Sequence, residues 1–202
     1  MLRYSLLEIL YILPGIIIGL STHEFFHAYL ASKLGDPTPR MQGRLTLNPL
    51  KHIDPIGFLL IIFVGFGWAK PVQINHSYLK KPKRDDILIA LSGPLSNIFV
   101  AIVFIFVMKI AVSIDSQNLY NISLFSAQIN FVLAIFNIIP IYPLDGFHVL
   151  SNIIGLKNFK VVSMIQRYSI FILLGLIITN ATYYIIGIPA MFLLDLFTKL
   201  II

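Results

Sequence analysis

His23-Glu24-Phe25-Phe26-His27 interrupts a stretch that otherwise carries almost no charge, running from Ile9 through Leu20 and on to Ala28-Tyr29-Leu30. Residues four apart share one face of a helix. His23 and His27 can therefore grip one metal ion, with Glu24 beside it as a base. In a soluble chain this would suggest an ordinary zinc protease. Here the helix reads as membrane-spanning, where ionisable groups are expensive and mark function. Two histidines that merely satisfy buried hydrogen bonds would leave the carboxylate between them unexplained.

Composition agrees with that setting. Of 202 residues, 57% are hydrophobic and 12% charged, whereas a soluble domain is about 25% charged. The chain is expected to be an all-α polytopic membrane protein. Its apolar runs are continuous rather than alternating, which argues against a β-barrel. The absence of cysteine excludes disulfides and thiolate ligands, so any metal must use nitrogen and oxygen donors. The net charge of +6 is carried largely in loops and reads as a topology signal, with no nucleic-acid partner expected. The amino-terminal segment is too long for a signal peptide, and cleavage would remove His23, Glu24 and His27.

About five transmembrane helices are expected. The first covers roughly Tyr4 to Leu34 and stops at Gly35-Asp36-Pro37, a glycine followed by a proline. Thr38 to Pro55 is polar and basic, with Arg40, Arg44, Lys51 and His52. Gly57 to Trp68 is apolar but too short to span. A short re-entrant or β-hairpin membrane element is expected over about residues 55–72, buried against other helices. Lys80, Lys81, Lys83 and Arg84 then form the strongest basic cluster, a cytoplasmic flank under the positive-inside rule. Asp86 to Val112 and Ile122 to Ile139 are the next spans, and Gly146 to Ile154 is a short amphipathic helix. Val162 to Ile202 reads as two spans meeting near Thr179-Asn180, with one tilted helix as the alternative and Pro189 as a potential kink. Lys157, Lys160 and Arg167 mark the cytoplasmic side again. The amino terminus is then outside, and the metal site lies nearer the cytoplasm.

A catalytic zinc usually has three protein ligands and one open position. Asp145 stands out as the third, in Asn137-Ile138-Ile139-Pro140-Ile141-Tyr142-Pro143-Leu144-Asp145-Gly146. Its prolines leave backbone groups unpaired, which is tolerated where the chain lines a polar cavity. At this point the chain resembles the site-2 protease family of intramembrane zinc metalloproteases. His23 to His27 is similar to the family's zinc motif, and Asn137 to Gly146 matches its N-x-x-P-x-x-P-L-D-G motif. Gly93-Pro94-Leu95-Ser96-Asn97 is similar to its G-x-x-x-N motif. Gly67 to Val72 and Arg84-Asp85-Asp86 resemble small bacterial-type members without a fused PDZ or CBS domain. One departure is Phe147-His148 where the family commonly has Gly-Arg. His148 is one helical turn from Asp145, so it either touches the metal or is a polar interfacial residue.

The resemblance implies a single transmembrane protease domain over residues 1–202, with a catalytic core of about 1–150 and C-terminal helices over about 162–202. It implies hydrolysis of peptide bonds in transmembrane or membrane-proximal substrate segments within a prokaryotic cell membrane. One Zn2+ per chain would be held by His23, His27 and Asp145, its water activated by Glu24. Asn97 and Asn137 would supply oxyanion donors or anchor the substrate backbone, or simply join helices. The Gly57 to Val72 element would offer an edge to an unwound substrate or act as a plug. The partners are thus a transmembrane protein substrate and the lipid bilayer; oligomeric state has no signature in the sequence. The rival readings are a metal-ion or proton transporter using the same cluster, and an inactive relative that binds membrane segments.

Overall fold

Ser5 opens the first helix with a capping box: its hydroxyl accepts from the Glu8 amide, and the Glu8 carboxylate accepts from the Ser5 amide. Helix α1 then runs over Leu6–Leu34 and closes at Gly35, whose φ of 116° is left-handed. At 1.5 Å per residue it is roughly 43 Å long, more than a bilayer core requires. The computed structural model describes residues 5–64, 67–155 and 159–202. Tyr4, Lys157 and residues 65 and 66 of the expected membrane element lie outside the described residues.

Three short helices follow: α2 (Thr38–Met41), α3 (Pro49–His52) and α4 (Pro55–Val64). The long helices α5 (Pro82–Ser113) and α6 (Gln117–Ile138) come next, then the short α7 (Asp145–Ile153), α8 (Phe159–Ile178) and α9 (Ile188–Ile201). Among the described residues, four helical stretches are long and apolar enough to cross a membrane: α1, α5, α6 and Tyr183–Ile201, which runs from a π-helical turn into α9. The apolar part of α8, Val162–Leu176, is shorter. The protein is an all-α polytopic membrane protein. Asn180, at φ 56°, separates α8 from the last span, so residues 162–202 are two helices rather than one. Asn tolerates that left-handed geometry better than most residues.

The 55–72 element is not a β-hairpin. Its first half is helical, and the chain returns in extended form to a single antiparallel bridge between Ile53 and Ala69. The return is close: a Cβ on Gly67 would sit 2.0 Å from the Gly57 carbonyl oxygen. Phe, Ile and Leu at helical spacing in Phe58-Leu59-Leu60-Ile61-Ile62 let one side of α4 pack on α1, with Phe58 and Ile61 against Ile12, Ile16 and Leu20.

Helices α1, α5 and α6 pack together, α9 lies against α5 and α6, and α7 against α5. The α5–α6–α9 interface is built on Ala101, Ile105, Met108, Ala127, Phe131 and Ala190. Small residues let membrane helices approach closely, where lipid offers no hydrophobic drive between them. On α1 the approach of α6 is close: a Cβ on Gly15 would lie 2.5 Å from Ser126 Cα, and one on Gly19 2.5 Å from Asn130 Oδ1. Gly15, Gly19, His23 and His27 are four apart in turn and so form one stripe. The same face that lets α6 in also presents the histidines.

Gly15→Ala therefore forces backbone apart and should destabilise the fold by about 1–3 kcal/mol. Gly175→Ala on α8, where an added Cβ meets nothing within 4 Å, should be neutral or slightly stabilising. Thermal unfolding of both variants in detergent checks the contrast.

Candidate metal centre

Asp145 is brought to α1 by the end of α6. Pro140 and Pro143 have no N–H to continue a helix, and the chain turns through Ile141 N–H to Ile139 O and Leu144 N–H to Ile141 O bonds before α7 starts. Asp145 Oδ2 then lies 3.1 Å from His23 Nε2 and 3.3 Å from His27 Nε2, and the two Nε2 atoms are 3.0 Å apart. Among the described residues this is the one cluster of three such groups that could hold a metal ion.

The remaining ring nitrogens show what the triangle lacks. His27 Nδ1 is 2.8 Å from the Ile89 carbonyl oxygen, an acceptor, so Nδ1 carries the proton. His23 Nδ1 is 2.7 Å from Asn97 Oδ1, also an acceptor. With both imidazoles neutral, both Nε2 atoms therefore point bare lone pairs at a carboxylate oxygen. Asp145 Oδ2 is buried and makes no hydrogen bond. Three acceptors face one another with no donor between them, an arrangement that a cation resolves. Two imidazoles and a carboxylate suit zinc with a fourth position open. Ligand atoms about 2.0–2.1 Å from a tetrahedral zinc stand roughly 3.3 Å apart, close to the observed spacings. The space is kept open by Gly93 on α5, where a Cβ would meet His27 Nε2 at 2.4 Å and His23 Nε2 at 2.7 Å.

Glu24 is buried beside the two histidines, and its Oε2 accepts from the Val72 amide at 2.9 Å. That bond is one of several that fix the extended return. The Lys70 amide donates to His52 O, the Arg44 guanidinium to Lys70 O, and the Asn75 amide to Asp36 Oδ2. Composition marks Arg44 and His52 as loop charges, yet both are buried. Burial also pushes the His52 imidazole below its ordinary pKa. The return is a poorer pairing edge than its apolar composition implies. The Lys70 and Val72 amides are turned inward, and Pro71 between them has none.

Asn97 does not face the open side of the triangle. It is fully buried behind His23, and its amide nitrogen donates to Gly19 O at 3.1 Å and Asn130 Oδ1 at 3.0 Å. The expected oxyanion donor is thus spent on helix and ligand contacts. Asn137 does lie on the open side. It lines a crevice of about 170 Å³ with Asp145, Ala90, Leu91 and Pro94, while its amide nitrogen also donates to Leu133 O at 2.9 Å. His148 stands outside the triangle, its Nδ1 3.5 Å from Asp86 Oδ2. The bond to that carboxylate raises its pKa, so it serves the α5–α7 contact and is not a ligand in this geometry. Sequence reasoning missed Asn130; its only signal is an amide in the middle of an apolar span.

The sequence profile of peptidase family M50 matches residues 110–176. The chain is 35% identical over 192 residues to a Bacillus subtilis protein named "Putative zinc metalloprotease YwhC", covering 92% of this chain and 88% of that protein. It is 33% identical over 151 residues to "Putative zinc metalloprotease MJ0611" of Methanocaldococcus jannaschii, covering 74% and 73% respectively. A "Putative zinc metalloprotease Rip2" of Mycolicibacterium smegmatis is 24% identical over 84% of this chain and 67% of its own. No solved structure gives a significant match. With relatives above 30% identity matched along most of both chains, the protein belongs to peptidase family M50, the site-2 proteases.

Proposed function

We propose that this membrane zinc metalloprotease holds one zinc ion through His23 Nε2, His27 Nε2 and Asp145 Oδ2, with Glu24 as its general base. The observation that carries the reading is the donor-free triangle of lone pairs, assembled from residues more than a hundred positions apart in the chain. Bound zinc supplies Lewis acidity, polarising a carbonyl and acidifying water. Glu24 takes a proton from the attacking water and passes it to the leaving amine. The Val72 amide accounts for one carboxylate oxygen and holds the side chain in a single orientation.

Asn137, on the crevice wall beside Asp145, anchors the substrate backbone or the developing oxyanion. Asn97 acts from behind, on the orientation of His23. The substrate is a transmembrane or membrane-proximal segment, and it must unwind before its peptide bonds can be attacked. The catalytic core of this single domain is α1 to α7, with α8 and α9 as the C-terminal helices. The Asp145 end of the bundle faces the cytoplasm of a prokaryotic cell in this reading, which the basic flanks Lys80 to Arg84 and Arg167 support by the positive-inside rule.

The test is metal content of detergent-purified protein with and without Asp145. Wild type should carry about one zinc per chain, a full occupancy that a three-ligand site supports; Asp145→Ala should lose most of it. Wild type purified without chelators and free of metal would overturn the reading. Glu24→Gln should keep its zinc and lose peptide cleavage by about 10²–10⁴-fold. A transporter would keep its transport activity in that variant. Gly93→Ala should lower zinc occupancy, because its methyl takes the space beside both Nε2 atoms; occupancy equal to wild type would show that α5 yields there.

A further inference from the structure

His27 and His23 solve the same problem by different means. Each must protonate Nδ1 so that Nε2 is free to bind metal. For His27 the partner is a backbone carbonyl, which can only accept. For His23 the partner is the side-chain amide of Asn97, which carries an acceptor at one end and a donor at the other. Turned the other way, Asn97 would offer N–H to Nδ1, drive the proton onto Nε2 and remove His23 from the ligand set. Something must hold the amide in one sense.

Gly19 O takes one proton of the Asn97 amide nitrogen, and Asn130 Oδ1 takes the other. Asn130 is itself an amide, fully buried in α6. Its nitrogen donates to Gly15 O at 3.0 Å and Ser126 O at 2.8 Å. Both are carbonyls, so the sense of Asn130 is fixed without ambiguity. Its oxygen must then face Asn97. A flip of Asn97 alone would set its oxygen against Asn130 Oδ1 and Gly19 O together. A flip of Asn130 would set its oxygen against Gly15 O and Ser126 O. Neither is tolerable at 0% exposure, where an unpaired polar group costs several kcal/mol.

We infer that Asn130 is a positioning residue for the metal centre: it transmits the acceptor-only character of two backbone carbonyls through Asn97 and so fixes the tautomer of His23. The inference rests on His23 Nε2 being a zinc ligand. Partners that orient a metal-binding histidine typically change metal affinity 10–100-fold when lost. Asn130 is one step further out and shares its task with Gly19 O, so the lower end, about tenfold, is expected.

Two substitutions separate this role from packing. Asn130→Leu keeps the volume and suits an apolar helix interface, but removes the acceptor for Asn97. Asn130→Asp, protonated because burial raises its pKa, keeps one donor and one acceptor. Chelator competition on the zinc-loaded full chain should rank affinity as wild type, then Asn130→Asp, then Asn130→Leu about tenfold below wild type. A packing role predicts the reverse order for the two variants. Nitrogen-15 spectra of labelled histidine in zinc-stripped protein, with His23 assigned by substitution, should show the Nδ1–H form in wild type and a gain of the Nε2–H form in Asn130→Leu. If Asn130→Leu does not fold, Asn130→Ala takes its place, since it too offers no side-chain acceptor. Wild-type affinity together with an unchanged His23 tautomer in the acceptor-less variant overturns the inference. A metal-free wild type would instead strike at the ligand assignment, and the tautomer spectrum would still decide the relay.

Discussion

The structure depends on carrying two imidazoles and two carboxylates into a helix bundle where every unpaired polar group costs several kcal/mol. Each of these groups is answered by a partner of the right kind. His27 Nδ1 has the Ile89 carbonyl, His23 Nδ1 has Asn97, and Glu24 Oε2 has the Val72 amide. Of these four groups, Asp145 is the one whose buried Oδ2 is left without a hydrogen bond, at the point where the two Nε2 lone pairs converge. The helix interfaces follow from the same need. Gly15 and Gly19 bring α6 close enough for Asn130 to reach Gly15 O, and Asn97 on α5 reaches Gly19 O. One stripe of α1 thereby serves packing, amide reception and ligation.

The loops between α1 and α5 are organised around Glu24 and the extended return that follows α4. The return is secured at Lys70, Val72 and Asn75 by His52, Arg44, Glu24 and Asp36. The proposed base is therefore also a tether for the segment lying over it. One carboxylate oxygen holds the Val72 amide in place, and the other is left for water in the proposed reaction.

Much of this was legible in the sequence because it rests on short, strongly typed patterns. The i, i+4 histidines, the glycine and proline stop after Leu34 and the proline-broken end of α6 each follow from local rules, and they appear within a few residues of where those rules put them. The break at Asn180 is of the same kind. The form of the 55–72 element was not legible. A run of about ten apolar residues does not by itself distinguish a strand from a buried helix, and the outcome turned on packing against Ile12, Ile16 and Leu20. Arg44 and His52 looked like topology charges because burial is a tertiary property. Asn97 could be read as an oxyanion donor, a substrate anchor or a link between helices, and a motif could not choose among these because it gives residue type and spacing but not the direction of an amide. Asn130 had no motif at all.

The two histidines meet different parts of α5. Ile89 O, a backbone carbonyl, accepts from both His27 and Ser92. His27 therefore meets a carbonyl directly. His23 lies about 6 Å further along α1. There α5 presents Asn97 in place of an open carbonyl, and an amide can be read in two senses. The need for a second amide on a third helix follows from that displacement. One ligand is oriented by a backbone carbonyl and the other by side chains, and the closeness of α6, permitted by Gly15, makes that second orientation unambiguous.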